Sequence, residues 1–563
     1  MRIGRLGLLS VATLMTACPG SDPEPAPKQY RVGGTINGLS GSLTLQLNGE
    51  QRLTRTADGP FSFETPLVDE SNYAVTVATQ PPEQQCTVQG GTGKVSGADV
   101  SSVQVSCVAS TYTVGGTVQG LGGTLELKLG DEVLRVTQEG GFTFTTKLAK
   151  GGAYAVSVAT LPQGQRCSVS NGSGTVAGNV ADISVRCTYW YALDNFQAAK
   201  VVIGQDDFTS DAPNREGDPG ANTLNGPWGN PTFASGRLYI PDQGNNRVLG
   251  FNGVPAANGA QAGFVLGQPN FTSAVTGIGQ SGVGHPEGLS SDGSRLAVAD
   301  LDNNRVLLYS ALPASTGAMP TTVIGRVSFA DVEPNPPCDS RSIRGLEDVF
   351  IGHGKLVVAD SGHNRVLIWN TIPTTNGAPA DLVLGQGSFT TCTENDADGD
   401  GTRDATPSAS TLWLPTGVWT DGTRLVVADY VNNRVLVWNS FPTRNGQPAD
   451  VVLGQPDFTS RETATSASQM NSPYFIAATG LQLFVVDNQN HRVLGWNQFP
   501  TTNGAPADLV LGQANFNSAN QQDPATGTTS ARNLRSPSGL LLAWPHVVVS
   551  DYGSNRVLVF ESR

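Results

Sequence analysis

Six times in this chain an aspartate that ends one apolar run stands five residues before an arginine that opens another, with a short turn rich in Asn, Gly and Ser between them. No other feature limits the fold so strongly. The pairs are Asp242 with Arg247, Asp300 with Arg305, Asp360 with Arg365, Asp429 with Arg434, Asp487 with Arg492 and Asp551 with Arg556. An apolar run such as LVVA precedes each Asp and one such as VLVW follows each Arg, closing on Phe251, Tyr309, Trp369, Trp438, Trp496 or Phe560. Two apolar β runs around a short turn describe a β-hairpin. Asp closes the first strand and Arg opens the second, so opposite charges face each other across the turn and hold the register.

The longest statement of the repeat is LVVADYVNNRVLVWNSFPTRNGQPADVVLGQPDF at residues 425 to 458. Each copy adds an inner strand after a Pro or Gly and an outer strand reading VLGQ or VIGR, making four strands. The segments DQGNNRVLGF, DSGHNRVLIW and DNQNHRVLGW resemble the NHL repeat, and Asn490-His491-Arg492 comes nearest to its motif. The resemblance implies an all-β, six-bladed propeller over residues 190–563. The run VVIGQ at 201 to 205 precedes every hairpin, and the hairpin ending at Phe560 has no outer strand after it. The early strand is therefore expected to complete the sixth blade and close the ring. The Asp-Arg turns and the loops after each VLGQ then share one face, which carries the variable segments where function tends to sit.

Ahead of the repeats lie two tandem copies of a smaller unit, residues 30–109 and 110–189, opening YRVGGTINGLSGSLTLQLNG and YTVGGTVQGLGGTLELKLGD. About seven short alternating strands in each suit two antiparallel β-sandwich domains, and the copies resemble immunoglobulin-like modules of bacterial surface proteins. Residues 1–17 read as a signal peptide, two arginines followed by an apolar run. Leu14-Met15-Thr16-Ala17-Cys18 resembles the bacterial lipobox, which implies acylation of Cys18 and, with Pro19 after it, residence in the outer membrane. Residues 18–29 hold a proline-rich polar linker suited to a tether. The leader's apolar run is too short to span a bilayer and no longer one follows, so the lipid alone is expected to hold the chain to the membrane.

An exported chain oxidises its cysteines, and the six others fall as Cys86 with Cys107, Cys167 with Cys187 and Cys338 with Cys392, the simplest local pairing. With 47 acidic against 34 basic residues the formal net charge is -13, which disfavours a nucleic-acid partner.

Two groups of residues offer chemistry. The segment Thr393 to Asp404, in the longest interval between repeats, resembles a DxDxDG calcium loop, with Asp396, Asp398 and Asp400 at alternate positions, Asp404 as a further ligand and Gly401 at the turn. The bidentate Glu of an EF-hand is missing. His285, His353, His363, His491 and His546 fall in separate blades or turns, which does not favour a three-histidine zinc site. The expected role is that of a monomeric, lipid-anchored envelope protein that binds or scaffolds an envelope or extracellular protein or glycan without catalysis. The alternative is a propeller-type lyase or hydrolase acting at the channel mouth. The side chains lining that mouth separate the two: convergent carboxylates or histidines favour the enzyme, small and apolar residues the binding protein.

Overall fold

The computed structural model describes residues 25–563. The leader, Cys18 and the first part of the linker lie outside them. The chain forms two compact units, one drawn from the tandem repeats and one comprising Arg186–Arg563 with two short segments of the second repeat. The division falls inside strand Val180–Tyr189 instead of after it, because Thr188 Oγ1 donates to the Thr479 carbonyl and Tyr191 N to Gln482 Oε1.

In the first repeat two four-stranded sheets share one apolar core. One sheet runs in the order Gly59–Ser62, Val32–Asn37, Val100–Ala109, Gln84–Gln89, and the other Gln51–Arg55, Leu43–Leu47, Asn72–Thr79, Thr92–Lys94. Alternation places Leu43, Leu45 and Leu47 inward against Ile36, Phe61, Phe63 and Val105. Two points depart from the sequence reading. Each copy has more strands than seven, and Val100–Ala109 runs parallel to Val32–Asn37, so the first of these sheets is mixed while the second is antiparallel. Alternation reports which face a residue occupies but not which way its strand runs. The second copy repeats the strand order.

The second unit holds six four-stranded antiparallel sheets, each a meander from an inner strand through the Asp-Arg hairpin to an outer strand. The inner strands include Thr232–Ala234, Pro286–Ser291, Leu346–Gly352, Pro415–Thr420, Pro473–Ala478 and Pro537–Ala543. Each neighbours the next, and the last neighbours the first. This is the arrangement of a β-propeller around a central channel. The outermost strand of the last sheet is Val201–Ile203, which pairs antiparallel with Arg556–Glu561 in the register Val201 to Val559.

Two repeated hydrogen bonds link neighbouring sheets. At the end of each hairpin turn Asn246, Asn304, Asn364, Asn433, His491 or Asn555 adopts a left-handed conformation, φ 49° to 55°, which Asn tolerates better than most residues. Its side chain accepts from the backbone N–H just before the next inner strand: His285, Gly345, Leu414, Ser472, Ser536 and Gly226 in turn. At the rim, the Asn of each NG turn accepts from an outer-strand N–H of the preceding sheet, as Asn376 does from Val323, Asn445 from Val383 and Asn503 from Val452. Thr316 takes this place for Val265, and Asn195, well ahead of the first hairpin, supplies it to Val510.

Candidate functional site

The six repeated Asp and Arg side chains are wholly buried, so the expectation of a simple charge pair across a turn needs correction. A buried guanidinium has five N–H groups to satisfy, more than one carboxylate can accept. Arg247, Arg305 and Arg365 each donate Nε to their aspartates Asp242, Asp300 and Asp360, at 2.7, 2.6 and 2.6 Å. Their remaining nitrogens reach past the turn to backbone carbonyls. Arg247 donates to Phe271, Gly220 and Thr223, Arg305 to Phe329, Gly279 and Gly282, and Arg365 to Phe389, Asp339 and Ser342. Each arginine therefore ties two loops to its hairpin as well as holding the register.

The fourth sheet shows the whole arrangement. Arg434 Nε donates to Asp429 Oδ2 at 2.8 Å, Nη1 to the Phe458 carbonyl at 2.5 Å and Nη2 to the carbonyls of Ser408 and Thr411 at 2.9 Å. Asp429 Oδ1 accepts from Trp413 N, and Oδ2 also accepts from Asn432. The phenylalanine of the LGQxxF signature thus supplies an acceptor for the arginine, and the glutamine fastens the same loop: Gln455 Nε2 donates to Asn433 O and Glu462 O. Burial pushes the Asp429 carboxyl up more strongly than Arg434 pulls it down. No charge in these pairs reaches solvent, so their role is in the fold.

The remaining sequence candidates separate into local features. Cys86–Cys107, Cys167–Cys187 and Cys338–Cys392 are disulfides, the first between directly opposed residues of adjacent strands. Carboxylate oxygens of Asp396, Asp398 and Asp400 lie within 4.8 Å of one another, the only such trio of metal-ligating groups among the described residues. Asp404 does not join them. Its Oδ2 accepts from Ala397 N at 2.9 Å and fastens the loop instead. The histidines do not gather: His285 meets Asp302, His363 lies between Asp360 and the Pro336 carbonyl, and His491 Nδ1 is an inter-sheet acceptor.

The channel mouth on the turn side is built from positions where the copies differ. The second residue of each Pro-x-Gly-like lead-in gives Trp228, Glu287, Glu347, Thr416, Tyr474 and Ser538 in successive sheets. The residue after each repeated Asp adds Gln243, Tyr430 and Tyr552 above them. Trp228 meets Tyr474 and Tyr552 edge to face, with ring centroids 4.8 and 4.5 Å apart, and Tyr430 meets Tyr474 at 5.3 Å. Glu287, 2% exposed, accepts from Gln243 Nε2 at 2.8 Å and lies against Glu347. Tyr474 Oη donates to Glu347 Oε2 at 2.5 Å.

Burial, then the neighbouring Glu347, pushes the Glu287 carboxyl well above its ordinary range. Glu347 beside it is partly exposed. One residue deeper stands Gly229, Gly288, Asp348, Gly417, Phe475 or Gly539. A Cβ on Gly288 would lie 2.0 Å from Asp348 Oδ1, so glycine there lets Asp348 cross the channel. Asp348 Oδ2 reaches Val418 N at 3.0 Å and Asn230 Nδ2 at 3.4 Å, and burial pushes this carboxyl up as well. Farther along the same strands a cavity of about 210 Å³ is lined in part by Phe350, Trp419, Ile476 and Leu541.

No family model and no curated protein matches the sequence. Among solved structures the chain is similar to virginiamycin B lyase from Staphylococcus aureus, at 14% identity and TM-score 0.31 over 61% of this chain and 97% of that one. A PQQ-bound aldose sugar dehydrogenase from Streptomyces coelicolor gives 14% identity and TM-score 0.36 over 62% and 97%. A computationally designed protein, Ika8, gives 10% identity and TM-score 0.30 over 79% and 98%. The propeller assignment stands on the strand order and ring of inner strands described above.

Proposed function

We propose that this chain is an envelope lipoprotein in which a six-bladed NHL-type propeller, carried on two β-sandwich modules and tethered through Cys18, binds an envelope or extracellular protein or glycan at its channel mouth. The observation that carries the reading is the mouth itself: aromatic and acidic side chains converge where the six copies otherwise repeat. Divergence at matching positions of a repeated scaffold is how such a scaffold acquires a ligand. The test is crosslinked capture from envelope extract with the full mature chain carrying Cys18→Ser, compared with the same chain bearing Trp228→Ala, Glu347→Gln and Tyr552→Ala. Capture is expected to vanish in the mouth variant. Equal capture by both moves the binding surface elsewhere.

Convergent carboxylates also favour a channel-mouth enzyme, since a buried acid beside a second carboxyl can exchange a proton with substrate. The two carboxyls touch, however, whereas glycoside hydrolysis needs them about 5 Å or more apart, and Glu287 is nearly inaccessible. The binding reading fits this geometry better.

The acidic loop is assigned calcium on its donor set, three hard carboxylates of which Asp396 is buried and Asp398 and Asp400 exposed. Such an ion would neutralise the loop beside the Cys338–Cys392 bridge. If free calcium exceeds the dissociation constant ten- to hundredfold, mass action stabilises the fold by about 1 to 3 kcal/mol. Calorimetric melting should then shift upward with millimolar calcium in the native chain and not in the double variant Asp398→Asn with Asp400→Asn. An unmoved transition removes the assignment.

A further inference from the structure

Resting on the reading of the mouth as a binding site, we infer that its ligand group is an N–H-bearing cation, the ammonium or guanidinium of a basic side chain on a partner protein. The six repeated aspartates each have an arginine, but Asp348 forms no ion pair among the described residues. Neither Glu287 nor Glu347 forms an ion pair among the described residues. A buried carboxyl without a cation is costly, and the six repeated aspartates each offset that cost with an arginine.

The second oxygen of Glu287 has no donor, although the residue is almost fully enclosed. An N–H from a bound cation would satisfy it, while the charge answers Glu347. The rings of Trp228, Tyr430, Tyr474 and Tyr552 gather here, and the π face of such a ring attracts a cation. Tyr474 holds Glu347 in place from one side, so the carboxylate need not be ordered when the ligand arrives.

A protein source is favoured by the loops that lead into Glu287 and Glu347. Val275 and Ile278 are 74% and 61% exposed before the first, and Val327 and Val332 are 68% and 55% exposed before the second. Apolar side chains presented this way beside a cation site suit a polypeptide with apolar residues flanking its Lys or Arg.

The experiment measures binding of short capped peptides centred on Lys, Arg, trimethyl-lysine or Gln to the full mature Cys18→Ser chain by calorimetry and ligand-observed NMR. Lys or Arg peptides should bind at least roughly tenfold more tightly than the Gln peptide, and Glu347→Gln should remove that difference. Comparison of Lys with Arg tells ammonium from guanidinium. Equal affinity for trimethyl-lysine overturns the N–H donor, and equal affinity for Gln overturns the cation. Partner capture that depends on the mouth but is not competed by Lys or Arg peptides sinks this inference while leaving the mouth-binding reading intact; loss of mouth dependence sinks that reading.

Discussion

A chain beginning at residue 216 should fail to give a cooperative unfolding transition, whereas one beginning at residue 190 should melt as a single unit. The shorter chain lacks Val201–Ile203, so Val557, Leu558 and Val559 lose their neighbour and the sixth sheet gains an open edge. Val201, Val202 and Ile203 are each at least 93% buried, and burial of such side chains contributes about 1.5 to 3 kcal/mol apiece. The truncation also removes the Phe208 carbonyl that accepts from Arg556, the Gln205 side chain that donates to Asn555 O, and Asn195, which accepts from Val510 N. Far-ultraviolet dichroism and scanning calorimetry on the two chains decide it; identical transitions would disprove closure through this strand.

Arg434→Met should be the most damaging single substitution in a hairpin, costing about 3 to 5 kcal/mol, because it leaves Asp429 buried without its charge partner and three carbonyls without a donor. The effect depends on pH. Without Arg434 the folded-state pKa of Asp429, already raised by burial, rises further above its ordinary 3.8. The penalty is absent below the unfolded value and grows as pH rises through the interval up to the folded one, so the variant should lose least in acid. Asp429→Asn keeps an acceptor for Trp413 N and removes the stranded charge, so Asp429→Asn combined with Arg434→Met should be more stable near neutral pH than Arg434→Met alone. Urea unfolding at pH 4 and pH 8 measures both statements.

The hairpins, their Asp-Arg register and the early outer strand are all readable from the sequence because they recur. What the spacing does not reveal is how far Arg247, Arg305 and Arg365 extend, since their carbonyl partners lie 23 to 27 residues away in loops of unlike sequence. Repetition also hid the site. Glu287 and Glu347 occupy a position filled by Trp, Thr, Tyr and Ser in the other copies, so no motif marks them, and only their place beside one axis brings them together. A signal was nevertheless present: the second residue of the lead-in varies in charge and size, while the Pro before it recurs in five of the six copies. Leu414 shows the opposite failure. Its φ of 49° serves an inter-sheet hydrogen bond to Asn364, a demand the backbone makes and a leucine side chain conceals. The parallel strand of the first repeat escaped for a third reason, since inward and outward alternation is the same in either direction.

The pairing of Val201–Ile203 with Arg556–Glu561 sets an order in time. A polypeptide delivered from its N-terminus releases the first partner some 350 residues before the second, and Arg556 must wait equally long to meet Phe208. Until the final strand emerges, the outermost edge of the sixth sheet has nothing to pair with, and the earlier sheets can be stacked but not joined into a circle. A copy that stops even one strand short keeps that edge bare and remains open to proteolysis and to pairing with its neighbours. The seam therefore works as a check on progress: only a chain made as far as Arg556–Glu561 can shut, and the molecule itself distinguishes copies that have reached this strand from those that have not.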